Sequence, residues 1–174
     1  MIVRLGRQDD LAAILDIYNW YVLHSNATFD VEPISTDLGK IWFDQFAATG
    51  PHRLVVVADD DDHACGYAAS VRYREHPAFR ETVELTTYID ADRIGRGLGI
   101  LMYELLLSEL ADEPVHTMLA GIALPNDGSI ALHRHFGFEP IGVFDEYAQK
   151  HGRRLSSLWM QRGRSSEPRR APAV

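Results

Sequence analysis

Apolar and polar positions change period several times along the chain, and each change marks an element. Residues 2–5 alternate and predict a short strand; Leu11, Ile14, Leu15, Tyr18 and Val22 then recur at helical spacing behind Asp9 and Asp10. Ser35 stands as an N-cap before a second helical pattern, through Leu38, Ile41, Trp42 and Phe46, predicted to run to Gly50. Residues 54–58 and 65–73 are β-rich runs on either side of four consecutive aspartates, Asp59 to Asp62. Four like charges repel in any buried setting, so this connection is predicted as a solvated hairpin turn. A strand at 82–90 leads into a glycine-rich turn, after which Leu98, Leu101, Met102, Leu105, Leu106 and Leu110 share one helical face. A strand at 115–124, a short helix at 129–136 and two strands at 138–144 and 155–160 complete the pattern, the last two joined through Lys150-His151-Gly152.

Strands interleaved with helices, with no internal repeat and no long linker, predict one α/β (α+β) domain over residues 1–162: a mixed sheet with helices on both faces. The Arg-, Ser- and Pro-rich residues 163–174 are predicted to be a disordered basic tail. At 174 residues, 46% of them apolar, the chain is long enough for a full core.

Composition then removes several classes of function. Seventeen Lys and Arg against 25 Asp and Glu give 17 − 25 = −8, so no nucleic-acid partner is expected. No apolar run approaches the roughly 20 residues that span a bilayer, and Met1-Ile2-Val3-Arg4 passes directly into a strand pattern, so neither a membrane span nor a signal peptide is expected. A single cysteine, Cys65, has no disulfide partner in the chain and points to a reducing, cytoplasmic setting. His133 and His135 are too close in sequence to resemble a zinc-helix pair, and no His-Glu-x-x-His occurs, so no metal is expected.

Ile94-Gly95-Arg96-Gly97-Leu98-Gly99 joins a strand to a helix. Small residues there leave main-chain N–H groups free to converge on an anion, and the helix dipole adds about 0.3–1 kcal/mol at that end. The turn lacks the Gly-Lys-Ser/Thr ending that reaches a terminal phosphate, which disfavours ATP and GTP. It also falls mid-chain, where a dinucleotide fold would open with its glycines. Alone, the pattern fits a tight turn as well as a binding site.

In that position the turn resembles the pyrophosphate-binding motif of the GCN5-related N-acetyltransferases (GNAT), Gln/Arg-x-x-Gly-x-Gly/Ala. Gly97 and Gly99 match its two small positions, and Ile94 stands at the first. Asn126-Asp127-Gly128-Ser129-Ile130-Ala131-Leu132-His133-Arg134-His135-Phe136-Gly137-Phe138 is similar to a second signature, Asn-x-x-Ser-x-x-Leu-His-x-x-x-Gly-Phe. That spelling looks most like the phosphinothricin and methionine sulfoximine acetyltransferase branch. The same branch features Ile17-Tyr18-Asn19-Trp20-Tyr21, Ser25-x-x-Thr28-Phe29 and Thr82-Val83-Glu84, so the resemblance covers residues 2–162. It departs at His76, Phe79, Arg134, Arg154 and Ser156, where the branch commonly has Arg, Tyr, Glu, Trp and Asp.

The resemblance implies a GNAT fold, a mostly antiparallel sheet of about seven strands with four helices on its two faces. It implies acetyl-CoA as co-substrate, held by Gly95, Arg96, Gly97, Leu98 and Gly99 together with Ile89, Asn126 and Ser129, and it implies a homodimer. The implied acceptor is a small amino-acid-like amine of the phosphinothricin, methionine sulfoximine or methionine sulfone type, acetylated directly in a ternary complex. Another small amine, a peptide N-terminus, or a non-catalytic acetyl-CoA-binding module are the alternatives.

Such chemistry needs a base, because an amine of pKa near 10 is neutral in only about one molecule in a thousand at pH 7, a cost of about 4 kcal/mol. The position of the family's catalytic carboxylate falls on Glu84; the same side chain can instead pair with Arg72 or Arg80. His133 falls where many relatives carry a tyrosine acid, and a His N–H can serve the departing thiolate. Asn126 can bond the pantetheine chain or cap the following helix. A substrate carboxylate needs cations, for which Arg72, Arg74 and His76 are at hand, with Phe29 as a wall of the same pocket.

Overall fold

Leu54-Val55-Val56-Val57-Ala58 is apolar at every position, a pattern a strand tolerates only when both faces are covered. In the computed structural model, which describes residues 1–163, this run is the fully buried strand β2 (Leu54–Ala58). Around it lie β1 (Ile2–Leu5), β3 (Ala64–Arg72), β4 (Thr82–Ile89), β5 (Thr117–Ala123), β6 (Glu139–Lys150) and β7 (Arg153–Gly163). They form one seven-stranded sheet in the order β1-β2-β3-β4-β5-β7-β6. The helices are α1 (Leu11–His24), α2 (Thr36–Phe43), α3 (Leu98–Leu110) and α4 (Asp127–His135), and the expected strand count and mixed topology are observed.

Two cores sandwich the sheet. Val55, Val57, Val83 and Leu85 meet Leu98, Met102, Leu106 and Leu110 of α3 on one face. Leu54, Val56, Tyr67 and Ala69 meet Ile14, Ile17 and Tyr21 of α1 on the other. Gly39 lets α2 lie against α1, since a Cβ there would come within 2.7 Å of Leu15 Cδ1.

Every strand pair is antiparallel except β4 with β5, which the α3 crossover makes parallel. This pair holds for three rungs only, Thr82↔Thr117, Val83↔Met118 and Glu84↔Leu119. Beyond them β4 continues to Ile89 on β3, and β5 to Ala123 on β7. The sheet therefore splits between residues 85–89 and 120–123, and each strand faces the split with one edge unpaired by the other.

Three expectations are corrected. α2 ends at Phe43 and not at Gly50, because the chain turns at Asp44 and Arg53 gathers the loop, donating to the Ala47 carbonyl (3.1 Å) and the Glu113 carboxylate (2.7 Å). β6 and β7 extend well past the predicted runs; shifts of register at Pro140/Gly142 and Phe144/Ala148 break the two-residue alternation that marks a strand in sequence. The aspartate turn forms as predicted, but it is ion-paired: Asp60 with the Met1 ammonium, Asp62 with Arg4 and Arg7, Asp59 with Arg93. The basic tail predicted from residue 163 lies, past Gly163, outside the described residues.

Candidate active site

The split in the sheet opens into a groove of about 1430 Å³, lined by residues 84–89 of β4 and 120–123 of β5 and by the facing ends of α1, α3 and α4. Pockets that take drug-sized ligands measure about 300–1,000 Å³, so there is room for a large cofactor and a second small molecule.

At one end stands the glycine turn. Gly95 and Gly97 have φ of 80° and 76°, a left-handed conformation that side-chain-bearing residues resist. The N–H groups of Ile100 and Leu101 return to the Gly97 carbonyl, whereas those of Leu98 and Gly99 open α3 with no carbonyl one turn back. A Cβ on Gly99 would sit 3.1 Å from Leu132 Cδ2, so glycine there admits α4 beside α3. Gly95, Gly97, Leu98, Gly99, Ile89, Asn126 and Ser129 all line the groove. Arg96 differs: it does not line the groove, and its exposed guanidinium donates to the Asp92 carbonyl (3.2 Å). Asn126 does cap α4, its Oδ1 accepting from the Ser129 N–H at 3.1 Å, and it lines the groove as well.

Glu84 lies at the last rung before the split. Its pairing with Val71 turns it toward the α1 face, opposite to its neighbours Val83 and Leu85, which enter the α3-side core. Arg72 bonds Glu75 and Arg80 bonds Glu81, so neither takes the Glu84 carboxylate, which has no hydrogen-bond or ion-pair partner among the described residues. Burial with no compensating partner pushes its pKa above the usual carboxylate range.

His133 is 2% exposed and committed at both ring nitrogens. Nδ1 lies 2.8 Å from the Ser129 carbonyl oxygen, which can only accept, so the proton is on Nδ1. Nε2 then accepts from the Tyr103 hydroxyl at 2.8 Å. Burial lowers its pKa, which keeps the ring neutral and leaves no free N–H to offer to a departing group. Beside the expected donor role stands this geometry: both ring nitrogens are already bonded, and His133 lines the groove as the tie between α3 and α4.

The acceptor end also departs from expectation. Phe29 lines the groove, its ring 5.5 Å from Tyr147. Arg72, Arg74 and His76 do not. Arg72 pairs with Val83, so its side chain leaves the opposite face from Glu84. The Arg74 guanidinium lies over the Tyr73 and Phe79 rings, and His76 caps a short turn by accepting from the Ala78 N–H. Among the described residues no arginine or lysine lines the groove; its carboxylates are Glu84 and Asp30.

In place of cations there are phenols. Tyr18, Tyr21 and Tyr67 surround Tyr88 at centroid distances of 5.0, 5.2 and 5.6 Å. The Tyr18 hydroxyl donates to Asp30 Oδ2 (2.6 Å) and meets Thr28 Oγ1 (2.7 Å). Burial pushes Tyr88 up to about 12 and raises Tyr18 as well, so both remain phenols at neutral pH. Sequence signals for this wall were Tyr18 on the inner face of the first helix and Tyr88, four residues after Glu84 on the same strand face and so able to line an acyl pocket, although an inward aromatic reads more often as core. Cys65 does not line the groove: buried on β3, the thiol donates to the Val57 carbonyl, and burial raises its pKa. Among the described residues no group of three or more His, Cys, Asp or Glu is placed to hold a metal, and no helix there is long and apolar enough to cross a membrane.

Comparison with known proteins agrees with this geometry. Residues 3–159 match the Acetyltransferase (GNAT) domain family. The chain is 40% identical over 161 residues to the phosphinothricin N-acetyltransferase of Streptomyces coelicolor, covering 92% of this chain and 94% of that one. It is 36% identical over 152 residues to the L-methionine sulfoximine/L-methionine sulfone acetyltransferase of Pseudomonas aeruginosa, covering 87% and 88%. The crystal structure of a GNAT superfamily phosphinothricin acetyltransferase from Sinorhizobium meliloti in complex with acetyl-CoA superposes with a TM-score of 0.88 at 30% identity, over 99% of this chain and 94% of that one. An open parallel seam, a left-handed glycine turn beside it and an unpaired carboxylate at its base thus occur in a sequence matched along nearly its whole described length, and the chain belongs to the GNAT acetyltransferase family.

Proposed function

We propose that this protein transfers the acetyl group of acetyl-CoA to the amine of a small amino-acid-like molecule of the phosphinothricin, methionine sulfoximine or methionine sulfone type. The residues fit the cofactor. The Leu98 and Gly99 amides and the left-handed Gly95 and Gly97 form an anion seat at the α3 N-terminus, and the split edges of β4 and β5 offer main-chain groups to an extended chain. Asn126 and Ser129 flank that path. When bound, acetyl-CoA supplies an acetyl carbon activated as a thioester.

Everything else is work for side chains. The acceptor arrives as an ammonium, and Asp30 and Glu84 give the groove a negative bias toward it. Glu84 takes the proton, directly or through one water, and its raised pKa suits a base working near neutrality. The aromatic wall of Phe29, Tyr18 and Tyr88 packs the acceptor's apolar part and excludes water. His133, locked between Ser129 and Tyr103, keeps α4 and its amides in register with α3.

The observation that carries this reading is the unpartnered carboxylate of Glu84 at the base of the split. E84Q keeps the shape and removes the base; turnover is expected to fall by about 10²–10⁴ while acetyl-CoA affinity, read by calorimetry, stays within about twofold. Unchanged turnover would refute the assignment.

The same proposal extends to assembly and location. Ile141, Val143 and Phe144 on the outer strand β6 are each about half exposed, which supports a homodimer, read by analytical ultracentrifugation. An unpaired buried Cys65 supports a cytoplasmic setting.

A further inference from the structure

Lys150 ends β6 and is 1% exposed, yet among the described residues no carboxylate bonds its ammonium. Its Nζ donates to the Thr28 carbonyl at 2.9 Å and to the Tyr21 carbonyl at 3.4 Å. A desolvated ammonium is costly, and burial holds its pKa below the ordinary lysine range despite the opposing influence of Asp30. Charge-assisted bonds to carbonyls are among the few interactions that offset such a cost.

The two carbonyls have distinct positions. That of Tyr21 belongs to the last turn of α1; that of Thr28 belongs to the segment joining α1 to α2, whose next residues, Phe29 and Asp30, line the acceptor end of the groove. The segment's far end is held by Asn19, which exchanges hydrogen bonds with the Ile34 main chain at 2.7 and 3.0 Å. Its near end is held by Lys150 at Thr28, by the Tyr18–Thr28–Asp30 hydroxyl chain, by the Tyr88 hydroxyl donating to the Ala27 carbonyl (3.4 Å) and by Tyr147, three residues before Lys150, against Phe29. β6 therefore reaches this wall twice. His151, the next residue, meets the Val22 carbonyl of α1 (3.3 Å) and not the wall.

We propose that Lys150 is a positioning residue for the acceptor: by fixing the Thr28 carbonyl from behind, its ammonium sets the wall of Thr28, Phe29 and Asp30 against which the amine substrate packs. This rests on the reading of that end of the groove as the amine site. Lys150 itself touches no substrate.

The test compares K150M, which keeps the length and loses every donor, with H151A, which alters the same hairpin tip without touching the wall. In K150M the KM for the amine is expected to rise about tenfold or more, the loss of a charge-assisted hydrogen bond, while the KM for acetyl-CoA stays within about twofold. H151A is expected to leave both unchanged. Amide hydrogen exchange of the full-length protein, read by mass spectrometry, is expected to show residues 25–30 exchanging faster in K150M than in wild type, with residues 94–99 unaltered. If K150M does not accumulate folded, K150Q, with one amide donor, is expected to shift both readouts in the same direction by less. Wild-type exchange at 25–30, or an equal rise in both KM values, would overturn the proposal. Wild-type protein that acetylates no amine would instead overturn the reading of the site, and hydrogen exchange would still decide whether Lys150 holds the wall.

Discussion

The two ends of the groove are built on different principles. At the end proposed for the cofactor the groove presents main chain: the left-handed turn at Gly95 and Gly97, the open amides of α3 and the parted edges of β4 and β5. At the end proposed for the acceptor it presents side chains gathered from α1, the segment at 25–30, β4 and β6, among them Tyr18, Phe29, Glu84 and Tyr147. A main-chain site is specified by where glycine must stand, and it tolerates Ile94, 58% exposed, where the family's motif has Gln or Arg. A side-chain site depends on which face of a strand each residue leaves and on how a loop is propped from behind.

The sharpest way to break that contrast acts on the main chain. Gly97 has φ of 76° and open space where a Cβ would stand, so G97V meets backbone strain and not a clash within the protein. A β-branched residue in that conformation is expected to cost about 1–2 kcal/mol of stability. It also turns the amides and sets an isopropyl group at the anion seat, and the Kd for acetyl-CoA is expected to rise about a hundredfold, about 2.8 kcal/mol. Calorimetry reads the affinity and thermal unfolding the stability. An unchanged Kd would mean that side chains hold this end too.

Next in size is the acid limb of the pH profile. Because burial raises the Glu84 pKa, kcat/KM is expected to climb about tenfold per pH unit up to a midpoint above the ordinary glutamate value of about 4.3. The stability effect has a definite sign. The folded state holds this proton more tightly than the unfolded chain, so stability is greatest below the ordinary value and is lost as pH rises through the raised one. E84Q is therefore expected to melt higher than wild type at pH 8 and no higher near pH 4. The reverse order would show that the carboxylate is stabilised in the fold and unsuited to act as a base.

How far the molecule was legible follows the same division. The strand, turn and helix around Gly97 were readable because glycine spacing and hydrophobic period both act locally. Asn126 was readable as a cap because helix starts favour that residue type, whereas Ser129 entered through the family signature. Glu84 was placed correctly on its strand, but its lack of a partner was not readable, since that depends on Arg72 and Arg80 bonding elsewhere. The full lengths of β6 and β7 were hidden by the register shifts at Pro140/Gly142 and Phe144/Ala148. For His133 the sequence offered an imidazole in a plausible position; only the fold showed Tyr103 and the Ser129 carbonyl occupying both nitrogens.

That difference predicts a smaller effect for His133 than for Glu84. H133F orphans the buried Tyr103 hydroxyl and removes the side-chain bond to the Ser129 carbonyl, and a stability loss of about 1–3 kcal/mol is expected. The loss of kcat is expected to stay under about tenfold, far short of the deficit in E84Q. Since the fold lowers the His133 pKa, the unfolded chain takes up its proton first, and wild-type stability should decline as pH falls below about 6.5. In H133F that component of the decline disappears, which denaturant melts at pH 7.5 and 5.5 can measure. A stable H133F protein as inactive as E84Q would restore the donor role.

The smallest expected effect is at Arg72, where a substrate carboxylate was first expected to find a cation. Strand parity decides against it: Val71 shares its face with Glu84, and Arg72, one residue on, shares its face with Val83 and the α3-side core. The guanidinium is exposed and bonds Glu75 at 3.3 Å, an ion pair worth under about 1 kcal/mol in water. R72A is therefore expected to change the amine KM by less than about twofold and to leave kcat and stability almost untouched. A tenfold rise in KM would mean that the guanidinium leaves Glu75 and crosses to the groove when the acceptor binds, so that the cation missing from the groove is recruited by the substrate itself.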